Sequence, residues 1–333
     1  DLKLMGWKFK GAADYNVAEE YEVNDMNGVL GQKGFVDYLL FGDNGLPLAV
    51  IEAKKTAYDP RKGKKQAQLY ADCVQRKFGR RPFIFYTNGF ETYFWDDTAM
   101  PERAVSSVFS KQDLEKLINR RTAAVDPGTI EINQEISGRG YQMEAIRAVC
   151  DGLRQKSRRH LLVMATGTGK TRTAASLTDV MSKAGQVTNI LFLADRRALV
   201  KQARDAFKDH LPQMSLCNLC ENKQDYNASI VCSTYPTILG AIDDTKSKDG
   251  SLLYPPAHFD MIIIDEAHRS IFKKYKVIFD YFDAVLVGLT ATPKTEVDKN
   301  TYEFFESEDN VPTFAYEYDT AVAEGFLVPY SNY

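Results

Sequence analysis

The segment His160-Leu-Leu-Val-Met-Ala-Thr-Gly-Thr-Gly-Lys-Thr171 decides the fold of the second half of the chain. An apolar run ends in a glycine-rich turn, and a helix-compatible segment from Arg172 to Lys183 follows directly. A strand, a short loop and a helix amino terminus in this order form an anion cradle, because backbone N–H groups converge there and the helix dipole favours negative charge. The order predicts a phosphate-binding loop.

This loop retains the Gly-x-Gly-Lys-Thr core of the P-loop pattern and departs from it at Met164, where the pattern has glycine. In that pattern Lys170 reaches the β- and γ-phosphates of ATP, and the Thr171 hydroxyl binds Mg²⁺. A glycine-rich loop after a strand also occurs as a purely structural turn. The other residues that we expect to bind the nucleotide are Thr166, Gly167, Thr168 and Gly169.

Length and composition limit the class of protein. A chain of 333 residues can form two domains, and its 44% hydrophobic and 26% charged residues are typical of a soluble globular protein. No apolar run is long enough to span a membrane, and no signal peptide opens the chain. Five cysteines, an odd number, favour reduced thiols in the cytoplasm over a disulfide framework. The net charge of −3 excludes a uniformly basic nucleic-acid binder.

A hairpin dominates the first half of the sequence. Two β-prone runs, residues 34–41 and 46–54, flank Asn44-Gly45. Asn-Gly between such runs is the strongest short signal for a hairpin with a two-residue turn. That turn would pair Asp43 with Leu46 and fix the register of the two strands.

In this register Asp37 lies directly opposite Glu52, and Lys54 shares their face of the sheet by alternation. Two carboxylates and a lysine among apolar neighbours need a partner, because unpaired buried charge is costly. A Mg²⁺ ion held by Asp37 and Glu52 would supply one, and it would activate water and stabilise charge on a phosphate. Lys54 would orient that water or contact the phosphate. The alternative is a cross-strand acid–lysine pair at a sheet edge.

The spacing Asp-x(14)-Glu-x-Lys resembles the PD-(D/E)xK nuclease signature, with Val36 where proline usually stands. Downstream, Gln66 and Tyr70 lie four residues apart on one face of a predicted helix. This Q-x-x-x-Y spacing accompanies the nuclease core in the R subunits of type I restriction enzymes. Around it, residues 61–81 carry eight Lys or Arg against the single acid Asp72. Such a run is either a solvated face or a contact surface for phosphates.

In the second half, predicted strands alternate with helices such as Arg196–Lys208. The strands are near-continuous apolar runs, as expected for parallel strands covered on both faces. This pattern predicts a doubly wound α/β domain whose ligand lies beyond the carboxyl ends of the strands. After the phosphate-loop strand, the predicted strands are Asn189–Ala194, Ser229–Ser233, Asp260–Asp265 and Ala284–Thr290.

Two of these strands end in Asp-Glu-Ala-His268 and Thr-Ala-Thr-Pro293. Together with Gly-Thr-Gly-Lys-Thr171, they closely resemble the first RecA-like domain of DEAD/DEAH-type superfamily 2 helicases, over most of residues 138–312. The resemblance implies that Asp265 binds Mg²⁺ and that Glu266 polarises the attacking water. It also implies that Gln142 contacts adenine and that the adjacent Tyr141 could stack on the adenine ring. The implied coupling residues are His268, Thr290 and Thr292, and the implied contacts to the DNA backbone are Arg196, Arg197, Ser233 and Thr234.

Both halves together resemble the R subunit of a type I restriction enzyme. We therefore expect an α/β restriction-endonuclease-like domain at 1–125, a linker at 126–138 and a RecA-like doubly wound parallel-sheet domain, a P-loop NTPase, at 139–318. Residues 319–333 would lead into a second RecA-like domain. No closing arginine segment of that domain precedes Tyr333, so we expect a fragment that binds ATP and hydrolyses it poorly.

This resemblance implies ATP-driven translocation on double-stranded DNA, Mg²⁺ in both sites, and cleavage when translocation stalls. It also implies specificity and methyltransferase subunits as partners, with no role for a membrane. One alternative is a superfamily 2 helicase whose first domain binds DNA without cutting it. Another is a nucleotide-gated scaffold that neither moves nor cuts DNA.

Overall fold

The structure is a computed structural model that describes residues 2–26, 31–222, 227–244, 250–267, 275–293 and 301–329. The chain divides into two compact units. Unit 1 contains residues 1–122, 244–258 and 280–283, and unit 2 contains residues 123–243, 259–279 and 284–333. No helix in the described ranges is both long enough and apolar enough to cross a lipid bilayer.

Unit 1 is built on a six-stranded mixed sheet whose strands follow one another in chain order. Every neighbouring pair is antiparallel except β3 and β4, which are parallel because helix α1 forms the crossover between them. The strands are β1 Val17–Val23, β2 Gly34–Phe41, β3 Pro47–Ala53, β4 Phe83–Thr87, β5 Thr92–Trp95 and β6 Arg103–Val105, and the helices are α1 Lys64–Phe78 and α2 Lys111–Ala123.

The predicted two-residue turn of the β2–β3 hairpin is wrong. Phe41 pairs with Pro47, and the Gly42 amide donates to the Leu46 carbonyl at 3.0 Å. The loop therefore has three residues, 43–45, and Gly45 occupies its left-handed position with a φ of 70°. Asn-Gly marks the hairpin correctly here, although the loop is one residue longer than the commonest form.

A β-bulge at Leu48 restores the predicted register. Leu40 pairs with Ala49, so Leu48 has no partner across the ladder, and the later pairs follow the predicted alignment. The alignment brings Asp37 on β2 next to the end of β3, where its carboxylate accepts a hydrogen bond from the Ala53 amide at 2.6 Å. The longer loop and the bulge compensate for each other, and Asp37 and Glu52 lie on facing strands as predicted.

Two late segments of the chain complete unit 1. Arg103 on β6 forms a bidentate ion pair with Asp283, with N–O distances of 2.5 and 2.6 Å. Lys116 on α2 donates to the carbonyls of Ala257 and His258, and the Leu252 amide donates to the Leu4 carbonyl. The sequence boundaries placed these late residues in the second domain, whereas the structure packs them on the first.

Unit 2 contains a seven-stranded, fully parallel sheet in the order β13-β7-β12-β11-β8-β10-β9. Its strands are β7 Arg159–Met164, β8 Ile190–Ala194, β9 Leu216–Asn218, β10 Ile230–Thr234, β11 Met261–Asp265, β12 Val285–Thr290 and β13 Phe314–Tyr316. The remaining helices, in chain order, are α3 Gly140–Arg154, α4 Lys170–Lys183, α5 Arg197–His210, α6 Tyr235–Asp244, α7 Lys276–Tyr281, α8 Thr301–Phe304 and α9 Tyr318–Ala323.

The strand order places a ligand site. From β7 the chain crosses to β8 and moves outward to β9 and β10, and it then returns to β11 and β12, which lie between β8 and β7. Because the order reverses beside β7, a crevice opens at the carboxyl ends of β7, β12 and β11. The predicted parallel-sheet α/β fold is confirmed, with each predicted strand matched to within one residue at either end.

The stretch 126–138, expected as a linker, packs on unit 2. Ile132 and Ile136 are 6% and 4% exposed and join the main core. Arg147 on α3 donates to the carbonyls of Gly128 and Ile130 at 2.8 Å. The stretch lacks regular periodicity, yet its backbone carbonyls have specific partners and its apolar residues are buried.

His160 on β7 makes unit 2 sensitive to acid. It is 1% exposed, and burial lowers its pKa from 6.5 to about 4. Between these two values the unfolded chain binds a proton that the folded chain excludes, so the free energy of unfolding falls as pH drops from 6.5 towards 4, by about 3 kcal/mol in total. We expect His160→Gln to flatten this dependence in urea titrations between pH 7 and pH 4, whereas His210→Gln, on a less buried helix position, should change it less. Parallel wild-type and His160→Gln curves would contradict this expectation.

Two candidate active sites

The first site lies on unit 1 where strands β2 and β3 meet helix α1. Lys54 follows β3, and its ammonium donates to Glu52 Oε1 at 2.5 Å and to Gln66 Oε1 at 2.8 Å. Gln66 in turn donates from Nε2 to the Tyr70 hydroxyl at 2.6 Å. Asp37 lies at the neighbouring strand and accepts from the Ala53 amide. The structure thus brings together all five residues that the sequence assigned to a nuclease centre.

Helical and strand periodicity explain this convergence. Gln66 and Tyr70 are one helical turn apart on the face of α1 that packs on the sheet. By strand alternation Glu52 and Lys54 lie on the same face of the sheet as Val50, whereas Ile51 packs in the core on the opposite face. The hydrogen-bond chain from Tyr70 through Gln66 to Lys54 fixes the position of the lysine ammonium.

The burial and hydrogen bonding of Glu52 are suited to binding a cation. Glu52 is only 3% exposed, and this burial raises the pKa of its carboxyl. The nearby Asp37 carboxylate raises that pKa further, whereas the hydrogen bond from Lys54 opposes the rise. Its second oxygen, Oε2, is buried and has no hydrogen-bond partner among the described residues. A buried carboxylate oxygen that lacks a donor, beside a second carboxylate, fits a divalent cation, since such ions bind oxygen ligands.

Other carboxylates do not join this pair. Glu19 and Glu20 lie on the edge strand β1 and are exposed. Within the described ranges no group of three or more His, Cys, Asp or Glu side chains could hold a metal ion. Any ion here would therefore depend on Asp37, Glu52, water and the substrate phosphate.

Gly63 shapes the site, and sequence reasoning missed it. It precedes α1, and a Cβ added there would lie 3.0 Å from Glu52 Cγ and 3.4 Å from Lys54 Cε. The close approach lets the start of α1 pack directly on the two functional side chains. A single glycine between lysines carries no sequence signal for such a contact, because its φ is ordinary and only the tertiary packing requires it.

The second site is the phosphate-binding loop of unit 2, residues 165–169 between β7 and α4. Gly167 and Gly169 have φ values of 87° and 89°, which only glycine adopts readily. The Thr168 hydroxyl donates to the Ala165 carbonyl at 2.6 Å and closes the loop, while Thr166 is exposed. Met164, which departs from the P-loop pattern, is the last residue of β7 and is fully buried, so it belongs to the strand and not to the turn.

Charged residues at the strand ends face this loop. Lys170, the first residue of α4, lies with its ammonium 3.4 Å from Glu266 Oε1. Burial and the adjacent Glu266 charge raise the pKa of Asp265 to about 6, and the Lys170 charge opposes the rise. Glu266 has a φ of 54°, a strained value for a non-glycine residue that is typical of functional sites. Thr171 follows Lys170 in the first turn of α4 and is half-buried.

Gln142 and Tyr141 on α3 donate hydrogen bonds to the backbone of the phosphate-binding loop. Gln142 is 2% exposed and donates from Nε2 to the Thr168 carbonyl at 3.0 Å, and the Tyr141 hydroxyl donates to the same carbonyl at 2.8 Å. The Tyr141 ring is 5% exposed and stacks on Tyr316 with 3.9 Å between ring centroids. Stacking on adenine would require this ring to separate from Tyr316, so that role stays a prediction. An adenine contact by Gln142 requires its amide to leave Thr168.

The segments after β11 and β12 contact each other. The Ala267 amide donates to the Leu289 carbonyl at 3.0 Å, which links the two predicted coupling segments through the backbone. Thr290 is buried, and its hydroxyl accepts from the amide of the exposed Thr292 at 3.2 Å. His268, the third predicted coupling residue, lies outside the described residues.

The predicted DNA contacts divide into two pairs. Arg196 and Arg197 are exposed at the carboxyl end of β8 and the start of α5. Ser233 is fully buried, and its hydroxyl donates to the Thr234 carbonyl at 3.0 Å. Thr234 is 7% exposed and shares a hydrogen bond with the Thr237 hydroxyl. Both β10 side chains are buried, so a contact with DNA would require their hydroxyls to become exposed, and their role stays a prediction.

Comparisons with known proteins identify relatives of both halves of the chain. The family described as the type I restriction enzyme R protein N terminus (HSDR_N) matches residues 1–103, and the family described as the type III restriction enzyme res subunit (ResIII) matches residues 135–295. The EcoAI endonuclease subunit, a type I restriction enzyme subunit from Escherichia coli, is 32% identical over 312 residues, which cover 88% of this chain and 37% of that protein.

Two further comparisons extend over most of the chain. The EcoKI endonuclease subunit of Escherichia coli strain K12 is 28% identical over 376 residues, covering 90% of this chain and 30% of that protein. A solved fragment of an HsdR subunit from Vibrio vulnificus YJ016 is 25% identical with a TM-score of 0.45, covering 97% of this chain and 58% of that one. The chain spans about a third of the length of the curated relatives it matches. With an R-protein amino-terminal region followed by a helicase-like ResIII domain, the chain belongs to the family of type I restriction enzyme R subunits.

Proposed function

We propose that this chain forms the nuclease domain and the first motor domain of a restriction subunit that translocates double-stranded DNA with ATP and cuts it with Mg²⁺. The observation that carries the proposal is the convergence of Asp37, Glu52 and Lys54 on one face of unit 1, with an orphaned Glu52 oxygen. Unit 2 adds a phosphate loop whose lysine faces an Asp-Glu pair.

In the nuclease site, Asp37 and Glu52 Oε2 would hold Mg²⁺. A bound Mg²⁺ ion supplies a water nucleophile and neutralises charge on the scissile phosphate. Lys54 is held between Glu52 Oε1 and Gln66 Oε1 at 2.5 and 2.8 Å, so its ammonium is positioned before substrate arrives. Gln66 and Tyr70 act through Lys54, since their hydrogen bonds keep the lysine from swinging towards solvent.

In the motor site, the loop amides, Lys170 and Thr171 would bind the phosphates of ATP, and Thr171 and Asp265 would hold its Mg²⁺. Lys170 pairs with Glu266, with 3.4 Å between its ammonium and Oε1. A bound γ-phosphate would compete for the same ammonium and release the Glu266 carboxylate to orient water. Arg196 and Arg197 remain candidates for contacts to the DNA backbone.

Duplex DNA is the proposed substrate, and specificity and methyltransferase subunits are the proposed partners. Sequence recognition would come from those subunits, because the residues assigned here contact phosphates, metal and water, and none is assigned to base edges. The enzyme would act in the cytoplasm, where its free cysteines stay reduced.

Asp37→Ala separates this proposal from a helicase whose first domain only binds DNA. In the intact subunit with its partner subunits, we expect the variant to lose Mg²⁺-dependent cleavage of long duplex DNA while retaining ATP turnover. If the wild-type assembly cuts no DNA and Asp37→Ala alters only DNA affinity, the non-cleaving alternative is correct.

The Gln66–Tyr70 pair offers a graded test of the lysine's positioning. We expect Gln66→Ala to lower the cleavage rate by about 10–100-fold, a range typical of residues that orient a site from behind. Tyr70→Phe should have a smaller effect, since it removes only the acceptor for Gln66 Nε2 and keeps the packed ring. Cleavage at the wild-type rate by Gln66→Ala would show that Lys54 needs no such support.

A further inference from the structure

The basic run of residues 61–81 separates into two halves with different roles. In the carboxyl half each cation has a structural partner within unit 1. Arg80 donates to the carbonyls of Leu46 and Pro47, and Arg81 pairs with Asp72 and Asp97. Arg76 and Lys77 donate to the Asp25 carbonyl and to the Tyr21 hydroxyl. These four cations are bonded within unit 1, and Lys77, which also lies 4.8 Å from the Tyr21 ring centroid, is at the end of α1 remote from Gly63.

In the amino half three cations each lie over an aromatic ring. The Arg61 guanidinium is 5.1 Å from the Tyr93 ring centroid, the Lys62 ammonium 5.2 Å from that of Tyr58, and the Lys64 ammonium 4.6 Å from that of Trp95. We call this group the basic–aromatic strip: Tyr58, Arg61, Lys62, Lys64, Tyr93 and Trp95. Rings under the cations restrict their movement and favour a defined array of charge.

The strip is physically joined to the candidate nuclease site. Gly63 lies between Lys62 and Lys64 in sequence, and a Cβ added to it would lie 3.0 Å from Glu52 Cγ and 3.4 Å from Lys54 Cε. The cations on either side of this glycine therefore flank the two functional side chains. Arg61 and Lys62 are exposed, so a ligand bound at the site would meet them directly.

The pairing of these cations decides which of them can bind a ligand. Lys64 forms an ion pair with Glu102 at 2.6 Å, which uses part of its charge. Arg61 donates to the Tyr93 hydroxyl at 3.2 Å, and in the described part of the chain neither Arg61 nor Lys62 forms an ion pair. Two exposed, ring-supported cations beside a pair of carboxylates suit the negatively charged phosphates of a nucleic-acid backbone.

The groups that already lie on the aromatic rings of the strip favour a phosphate contact over base stacking. The Tyr93 ring stacks on Tyr86 with 5.2 Å between centroids, and it also carries the Arg61 guanidinium. The Lys64 ammonium likewise lies over the Trp95 ring. Proteins that bind unpaired bases present aromatic faces to the bases. The rings in this strip support cations instead, which favours the backbone of a paired duplex.

We propose that the basic–aromatic strip binds the phosphate backbone of duplex DNA and holds the strand against the Asp37–Glu52–Lys54 site. This assignment rests on the proposed nuclease function for its position, although the binding itself needs no cleavage. Arg61 and Lys62 supply the phosphate contacts, and Tyr58 and Tyr93 hold the two side chains in place.

The test measures binding of a duplex of about 30 base pairs to the full chain in EDTA, where nothing is cut. Each phosphate contact adds about 0.9 to the slope of log K against log salt concentration, so Arg61→Ala/Lys62→Ala should lower the slope by about 2. Lys77→Ala is the matched control, since it removes one charge from the same run at the opposite end of α1, about 20 Å from Lys64. Arg61→Lys/Lys62→Arg preserves both charges and should preserve the slope.

Trp95 reports binding at the strip itself. It is one of two tryptophans, and the other, Trp7, is 2% exposed, so acrylamide quenching monitors mainly Trp95. We expect duplex DNA to protect Trp95 from quenching and the double alanine variant to lose this protection. An unchanged slope, no protection, or stronger protection by single-stranded DNA would each overturn the proposal. Because the assay contains no Mg²⁺, failure of the nuclease proposal in cleavage assays leaves this result independent.

Discussion

Glu52→Gln is expected to abolish DNA cleavage by the intact R subunit and leave ATP turnover unchanged. The substitution keeps the shape of the side chain and an acceptor for Lys54, and it removes the negative charge that would bind Mg²⁺. A catalytic metal lowers the activation barrier by several kcal/mol, and each 1.4 kcal/mol changes the rate tenfold. The cleavage rate should therefore fall by about a thousandfold.

The fold should tolerate this change. Burial raises the pKa of Glu52, which means that the ionised carboxylate costs folding energy and that the neutral amide removes this cost. The stability of unit 1 at neutral pH should therefore be equal to or higher than that of wild type. Glu22→Gln, the same substitution at the exposed Glu22 of β1, is the control and should cut normally. Normal cutting by Glu52→Gln would mean that the hairpin is structural.

Lys170→Ala is expected to weaken ATP binding by about 100-fold, because it removes the ammonium proposed to pair with the ATP phosphates, and truncating one partner of a desolvated charge pair costs about 2–5 kcal/mol. It removes the cation at the start of α4 and leaves Asp265 and Glu266 without their positive neighbour. The pKa of Asp265 should consequently rise above its wild-type value of about 6. Equilibrium binding of a fluorescent ATP analogue to the chain measures the affinity, and NMR titration measures the pKa.

Lys183→Ala provides the matched control for this site. Lys183 is the last residue of the same helix, pairs with Asp179 at 2.7 Å and has a half-exposed side chain. Its loss changes the net charge equally and removes an i,i+4 pair worth only a few tenths of a kcal/mol. Equal losses of ATP affinity in the two variants would indicate a nonspecific effect and contradict the assignment of Lys170.

The parallel sheet of unit 2 could be predicted from the sequence because its central strands are buried on both faces and therefore read as apolar runs. The predicted strands 260–265 and 284–290 became Met261–Asp265 and Val285–Thr290. The edge strands Leu216–Asn218 and Phe314–Tyr316 were missed, since three residues carry no measurable periodicity.

The hairpin shows how a correct site can come from an incorrect turn. The alternation of buried residues fixes which side chains share a face, and the bulge at Leu48 keeps that pattern although the loop has an extra residue. Burial decided the register more strongly than the turn did. Periodicity therefore predicted Asp37, Glu52 and Lys54 together.

What the sequence could not give depends on tertiary packing. The contact of Gly63 with Glu52, the burial of Ser233 and the hydrogen bond from Gln142 to the phosphate loop each involve elements distant in the chain. The return of residues 250–258 and 280–283 to unit 1 is of the same kind. None of these contacts leaves a local pattern, because each requires only one suitable residue at a place that the fold defines.

The measurement that tests the central claim most directly is cleavage of long duplex DNA and ATP turnover in one reaction. It uses the intact subunit with its partner subunits and compares wild type, Glu52→Gln and Lys170→Ala. We predict that Glu52→Gln hydrolyses ATP at the wild-type rate without cutting, and that Lys170→Ala does neither. Cleavage by Glu52→Gln, or ATP-dependent cleavage by Lys170→Ala at the wild-type rate, would contradict the account of a nuclease driven by a separate motor site.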